Sequence, residues 1–291
     1  MAYGAPDSLA DVEPFYTDIR RGRKPTPEAL ADLTARYQTI GGKSPLLDIT
    51  RRQAAGLADQ LGADWHTYIG MRHWTPWIRD AVAEMARDGI QDAVALVLAP
   101  HFSRLSIGAY MEKLDQAVTE LKSPIRFQKV LSWHTHPGLI ALLAQRVREA
   151  QRKFTAGTPH VLFTAHSLPE RIREWNDPYP DQLAETGRLV AEKLALPKWS
   201  VAYQSAGRTP EPWLGPDILT AMADLAARGE TRVLVCIIGF VADHLEVIYD
   251  IDVEARATAQ KLGIQLERIA MLNDDPAFTE ILADIVRTNG G

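Results

Sequence analysis

The sequence predicts an α/β protein of two lobes, and three observations predict it. Apolar β-forming runs alternate with amphipathic helical stretches, 291 residues are enough to bury two cores, and the residues with most chemistry stand where strands end. Along the chain, Thr26, Pro27 and Glu28 open a helix with Leu30, Leu33, Tyr37 and Ile40 on one face, and Gly41-Gly42 ends it. Ser44 and Pro45 start the next. Segments 76–89 and 139–154 repeat the amphipathic spacing, with acids early in the former and bases late in the latter, as the helix dipole favours. Strands are expected at 65–69, 93–99, 127–132, 160–165, 200–204 and 233–238, each followed by a helical pattern. The stretch Ala156-Gly157-Thr158-Pro159 is the expected boundary between lobes.

Composition excludes several classes. Charged residues make up 24% and hydrophobic ones 46%, the balance of an ordinary globular protein. A net charge of −5 gives no field for gripping nucleic acid, and no apolar stretch approaches the ~20 residues that span a bilayer. The start, MAYGAPDS, lacks the basic and apolar regions of a secretory signal, and the one cysteine excludes an intramolecular disulfide, so a cytoplasmic location is expected. Cys236 lies inside VLVCIIGF and reads as a buried strand residue. With neither GxGxxG nor a Walker motif, nucleotide binding has no support.

Two segments carry candidate chemistry. Residues 161–179, VLFTAHSLPERIREWNDPY, deliver His166 from an apolar strand into a Ser-Leu-Pro turn, where ligands of open parallel sheets bind. One such His alone would more often cap a strand end. Residues 239–255, GFVADHLEVIYDIDVEA, add a second strand end, and Glu246, Asp250 and Glu254 recur there at i, i+4 and i+8, with Asp243 a turn earlier. On an α-helix that series drifts by about 40° per step, and a π-type widening would align it better. A charge run is ordinarily a solvated face. Here Val247, Ile248, Ile251 and Val253 crowd the same segment, so some of the acids border apolar surroundings. Imidazole with carboxylate makes an open site for a divalent metal, suited to transfer rather than storage, and the absence of HExxH disfavours a zinc hydrolase. Tyr3, Trp74, Trp77, Tyr110, Trp133, Trp175 and Trp213, with Arg20, Arg21, Arg23 and Lys24, would suit a flat apolar ligand bearing carboxylates, although most of these serve packing or solvated turns in the ordinary case.

Specific motifs then occur in order: AYGAP from Ala2, YTDIRRGRKP from Tyr16, RYQTIGGKSPL from Arg36, LAPHFS from Leu98, AHSLPE from Ala165, DPYPDQL from Asp177, YQSAGRTPEPWLGPD from Tyr203 and GFVADHLEV from Gly239. By these the chain resembles the ferrochelatases, most closely the bacterial coproporphyrin III ferrochelatases. The resemblance implies two Rossmann-like, chelatase-type lobes, each a parallel four-stranded sheet flanked by helices. They would span 1–156 and 157–274, with a C-terminal helix at 275–291 packing back on the first. It implies His166 and Glu246 as catalytic groups and metal ligands across a porphyrin cleft, with Tyr3, Asp250 and Glu254 completing the metal's surroundings. Tyr3, Arg20, Arg36, Tyr37, Ser44 and Tyr110 would bind porphyrin. Arg72 and His73 would sit nearby, and Arg36 and Ser205 near the acid ridge.

The implied substrates are Fe²⁺ and coproporphyrin III, with protoporphyrin IX as the alternative and a non-catalytic tetrapyrrole carrier as the reading from another class. No permanently bound cofactor is expected, and one cysteine cannot hold an iron–sulfur cluster that needs four. Transient contact with neighbouring haem-pathway enzymes is also expected. Two departures stand out. The apolar strand usual before AYG is largely missing, which would leave Tyr3 loosely held unless the start lies elsewhere, and Asn176 replaces the glycine usual before DPYP, at a turn an asparagine tolerates.

Overall fold

The second half of the chain builds a parallel sheet in the order β4-β3-β5-β6, from β3 (His160–His166), β4 (Trp199–Gln204), β5 (Arg232–Ile237) and β6 (Gln265–Arg268). This computed structural model describes every residue except Ala156, Arg208 and Gly291. Helices covering both faces explain why the central strands read as unbroken apolar runs rather than alternating ones: Val161, Leu162, Phe163, Val233, Leu234 and Val235 are all fully buried. Cys236 is buried among them, and burial pushes its thiol far above the ordinary range, so it is a packing residue as the sequence suggested. The crossovers are α7 (Tyr179–Leu194), α8 (Ile218–Ala227) and α10 (Arg256–Leu262). Ahead of α7, Asn176 takes the left-handed conformation, φ 50°, which the turn demands. The Asp177 carboxylate then accepts from Tyr179 N at 3.1 Å, Arg104 N at 2.8 Å and Ser103 Oγ at 3.0 Å, which fastens the LAPHFS turn to the second half.

The first half carries α1 (Val12–Ile19), α2 (Pro27–Thr39), α3 (Leu46–Leu61), α4 (Ile78–Arg87), α5 (Ala109–Leu121) and α6 (Pro137–Gln151) around β1 (Asp92–Leu96) and β2 (Arg126–Val130). Thr26 caps α2 by accepting from Ala29 N at 3.3 Å, with Pro27 in its first turn. Among the described residues the expected four-stranded sheet is found in the second half only, because β1 and β2 pair in parallel with no third strand. Residues 65–69, expected as a strand, join no ladder. Met1 and Ala2 bridge the region between them and β1: the Met1 amino group donates to Leu96 O at 2.6 Å, Leu98 N to Met1 O at 2.9 Å, and Ala2 N to Gly70 O at 3.1 Å. Past Met1 an apolar slot of ≈ 220 Å³, lined by Trp65, Ile69, Val82, Val94, Leu114 and Leu282, separates the two segments. A ladder requires strands roughly 4.8 Å apart, so they cannot pair across it. Burial lowers the Met1 amino group to about 5.

Tyr3 has partners for both its backbone and its ring. Its carbonyl accepts from His73 N at 2.9 Å, and its ring lies 4.6 Å from the His73 ring. The strand that sequence reading missed, β6, spells QLER at a sheet edge, too short and too polar to stand out from a loop. The last helix, α11 (Pro276–Gly290), returns to α3, where Arg287 donates to Gln60 O, Gln53 Nε2 to Asn273 O at 2.8 Å and Arg52 Nε to Asp274 Oδ2 at 2.7 Å. Ala156, in the expected boundary, and Gly291, the end of the expected 275–291 helix, lie outside the described residues. One apolar core runs from Leu96 and Val130 through α6 into the second sheet. Among the described residues no helix is long and apolar enough to cross a membrane.

Candidate active site

The carboxyl ends of β3 and β5 face α1, α2, α3 and α5 across a cleft of ≈ 1180 Å³. That is just above the roughly 300–1,000 Å³ of pockets for small organic ligands. His166 ends β3, and Gly239 follows β5 where a Cβ would come within 2.5 Å of Ala165 Cβ and 2.8 Å of Ala165 Cα. Only glycine lets the two strand ends approach so closely, and that approach delivers Phe240 and the segment after it to the His166 ring, 6.3 Å from Phe240 between centroids.

His166 Nε2 lies 3.5 Å from Glu246 Oε1, with about a third of each side chain exposed to the cleft. His244 Nε2 lies 3.6 Å from Glu246 Oε2 on the other side. Each imidazole has its other nitrogen against a backbone carbonyl, His166 Nδ1 on Ser167 O and His244 Nδ1 on Ala242 O at 3.0 Å. A carbonyl only accepts, so each Nδ1 carries a hydrogen, and each ring turns its Nε2 toward the Glu246 carboxylate. A proton shared between Nε2 and the carboxylate, or a metal ion in its place, would satisfy both groups. Burial alone would lower the His166 imidazole, but the charge and hydrogen bonding of Glu246, the Ser167 carbonyl and the charge of Asp250 together raise it above its ordinary value. Burial would likewise raise Glu246, and the two histidines outweigh it, holding the carboxyl far below the usual range. Donor atoms 3.5 Å apart admit a first-row cation at roughly 2.1 Å from each, subtending about 110°. Among the described residues no three or more His, Cys, Asp or Glu converge on one metal position, so the set is open.

The acid ridge continues along α9 (Leu245–Val247) and a π-helix over Ile248–Ala255, a widening that suits the i, i+4, i+8 spacing better than an α-helix does. Asp250 is buried, 5% exposed, and accepts from Ser205 Oγ, with Arg36 Nη1 at 3.6 Å from its Oδ1. Burial and the neighbouring Glu246 charge push Asp250 up to about 6, against the opposing effects of Ser205 and Arg36. Glu254 stands outside the cleft wall at the outer end of the ridge, 3.8 Å from Arg36 Nη2. Asp243 leaves the ridge altogether. It pairs at 3.0 Å with Arg268, which also binds both Asp252 oxygens at 2.8 Å, and so the face of the π-helix away from the cleft is anchored.

The facing wall holds Tyr3, Tyr37, Ser44 and Tyr110, all lining the cleft, with Arg20 exposed at its mouth. Burial raises the Tyr3, Tyr37 and Tyr110 phenols well above their ordinary value, and the Glu246 charge adds to the shift in all three. Arg72 lies 5.3 Å over the Tyr110 ring, and His73 Nδ1 meets Asp18 Oδ2 at 2.7 Å. Of the other aromatic and basic candidates, Trp213 and Arg21 line the cleft, while Trp74, Trp77, Trp133, Trp175, Arg23 and Lys24 do not. Trp133 is a core residue, and Lys24 pairs with Glu13 at 3.2 Å. His244 went unnoticed in the sequence, although its place two residues before Glu246 in GFVADHLEV was the available signal.

A parallel-sheet protein with a large cleft at its strand ends, where His166, His244 and Glu246 gather, is of the chelatase type in fold, and comparison with known proteins gives the family. Residues 1–290 match the family model for ferrochelatases. A "Ferrochelatase" of Thermus thermophilus is 47% identical over 98% of this chain and 96% of its own length, and one of Herpetosiphon aurantiacus is 46% identical over the same shares. A "Coproporphyrin III ferrochelatase" of Halalkalibacterium halodurans is 43% identical over 99% of this chain and 94% of its own. Among solved structures, SirB from Bacillus subtilis with Fe³⁺ shares the fold at a TM-score of 0.59 and 12% identity, covering 83% of this chain and 89% of that one. The chain belongs to the ferrochelatase family. It is a metal-inserting enzyme of porphyrin and haem biosynthesis.

Proposed function

We propose that this enzyme inserts Fe²⁺ into coproporphyrin III, with His166 and Glu246 as its catalytic pair. The observation that carries the reading is the 3.5 Å approach of His166 Nε2 to Glu246 Oε1 at the floor of a cleft whose other wall is aromatic. Insertion breaks two pyrrole N–H bonds, releases two protons and forms metal–nitrogen bonds, with no change of oxidation state. His166 Nε2, free to accept because Nδ1 is held by Ser167 O, takes the two pyrrole protons one at a time and passes each to solvent at the exposed side of its ring. Glu246 keeps its charge and helps exchange the water of the incoming iron for ring nitrogen, while Asp250 and Glu254 lead cations inward. Tyr3 approaches the metal from the other face. Arg20, Arg36, Tyr37, Ser44 and Tyr110 hold the macrocycle, which is ring-shaped and flat enough for the cleft. Fe²⁺ is substrate here, not a resident cofactor.

Coproporphyrin carries four propionates where protoporphyrin carries two, and Arg20 and Arg21 on the cleft wall offer extra donors to match them. The relatives named for coproporphyrin III support the same choice. We place the enzyme in the cytoplasm and divide it into lobes at 1–156 and 157–274, with α11 serving the first. Anaerobic turnover with both porphyrins in competition tests the assignment. A higher kcat/KM for coproporphyrin III is expected. Preference for protoporphyrin IX would overturn the substrate, and spectral binding without metallated product would overturn catalysis in favour of a carrier.

A further inference from the structure

Between His166 and Glu246 lies a side chain that the proposed chemistry does not use. Gln204 ends β4 and is the ladder partner of His166, the two standing side by side in the sheet. Its carbonyl accepts from Ser167 N at 2.7 Å, fixing the backbone beside the very carbonyl that orients the His166 ring. Its side-chain Nε2 crosses to the other element and donates to Glu246 O at 3.0 Å. Gln204 is fully buried, and its Oε1 has no hydrogen-bond partner among the described residues. A buried amide oxygen left unpaired costs on the order of 1–3 kcal/mol. A residue kept only for stability would be poorly chosen here.

We propose that Gln204 is a positioning residue: it is the strut that sets the separation between His166 Nε2 and the Glu246 carboxylate, and thereby the affinity of the pair for the incoming divalent cation. The strand beside it fixes one end, and the amide fixes the other. This bond ties the backbone of Glu246, at the start of the acid ridge, directly to the end of β4. The next residue, Ser205, has a left-handed backbone, φ 61°, and gives its hydroxyl to Asp250. Two consecutive residues of one strand end thus hold two consecutive acids of the ridge. The inference rests on the reading of His166 and Glu246 given above.

Gln204→Met and Gln204→Leu test it, since both keep much of the volume and delete the donor together with the orphaned acceptor. Thermal stability is expected to stay equal to wild type or rise. The KM for Fe²⁺ is expected to rise about tenfold, as loss of an outer support of a metal ligand typically does, while the KM for porphyrin stays within about twofold. Co²⁺ titration of the porphyrin-free variants, followed by visible absorption, should show the same weakening without turnover. Unchanged Fe²⁺ KM and unchanged Co²⁺ affinity in a folded variant would overturn the strut, as would a lower melting temperature with both KM values unmoved. If wild-type enzyme itself fails to insert iron, the catalytic reading fails instead, and Co²⁺ binding still decides the role of Gln204.

Discussion

His166→Ala is expected to remove iron insertion almost entirely while leaving porphyrin binding within a few-fold of wild type. The substitution deletes the Nε2 that faces Glu246 at 3.5 Å and leaves the aromatic wall of Tyr3, Tyr37 and Tyr110 intact. Loss of a positioned general base alone costs about 10²–10⁴ in rate. Loss of a metal donor at the same time places the expected effect at or beyond the upper end of that range. Since His166 is a third exposed and its ring makes one backbone hydrogen bond, the fold should tolerate the change. Single-turnover insertion under anaerobic conditions, with porphyrin binding followed by absorbance, separates the two steps. Turnover near normal would remove His166 from the mechanism.

Glu246→Gln is expected to be nearly as damaging, for a different reason. The amide is almost isosteric, so Gln204 can still reach the backbone carbonyl of residue 246, but the charge is gone. A developing positive charge between the two rings then loses its counter-ion, a loss worth about 10²–10³ in rate for comparable electrostatic groups. The pH profile carries a second signature. His166 must be neutral to accept a proton, so activity rises as pH passes upward through its pKa. In the wild type Glu246 holds that pKa above the ordinary value, and in the variant the rise should move to lower pH. A profile that keeps its position would show that the two groups are uncoupled.

The candidate site was named from the sequence by two routes: His166 and the acid ridge from local patterns, and the facing wall of Tyr3, Tyr37, Ser44 and Tyr110 from the family resemblance. An apolar strand running into a turn marked His166, and the 4-residue recurrence of Glu246, Asp250 and Glu254 is aligned better by the π-helix that forms over Ile248–Ala255 than by an α-helix. Asp243 broke the pattern, since nothing local reveals that Arg268, 25 residues on, would claim it. His244 was passed over because a His before a run of acids has no periodicity to mark it. Gln204 was invisible for a similar reason: its role depends on a strand register and on one long-range hydrogen bond to residue 246. The first sheet was misread because strand propensity in 65–69 was real, but a strand needs a neighbour at ladder distance, and a slot stands there instead.

The central claim is that His166 and Glu246 share one cation. Anomalous diffraction from crystals soaked with Co²⁺, collected at the cobalt edge, tests it most directly. One peak in the cleft, at about 2.1 Å from His166 Nε2 and from a Glu246 carboxylate oxygen, is the predicted result. Cobalt bound elsewhere in the cleft with this pair left vacant would contradict it.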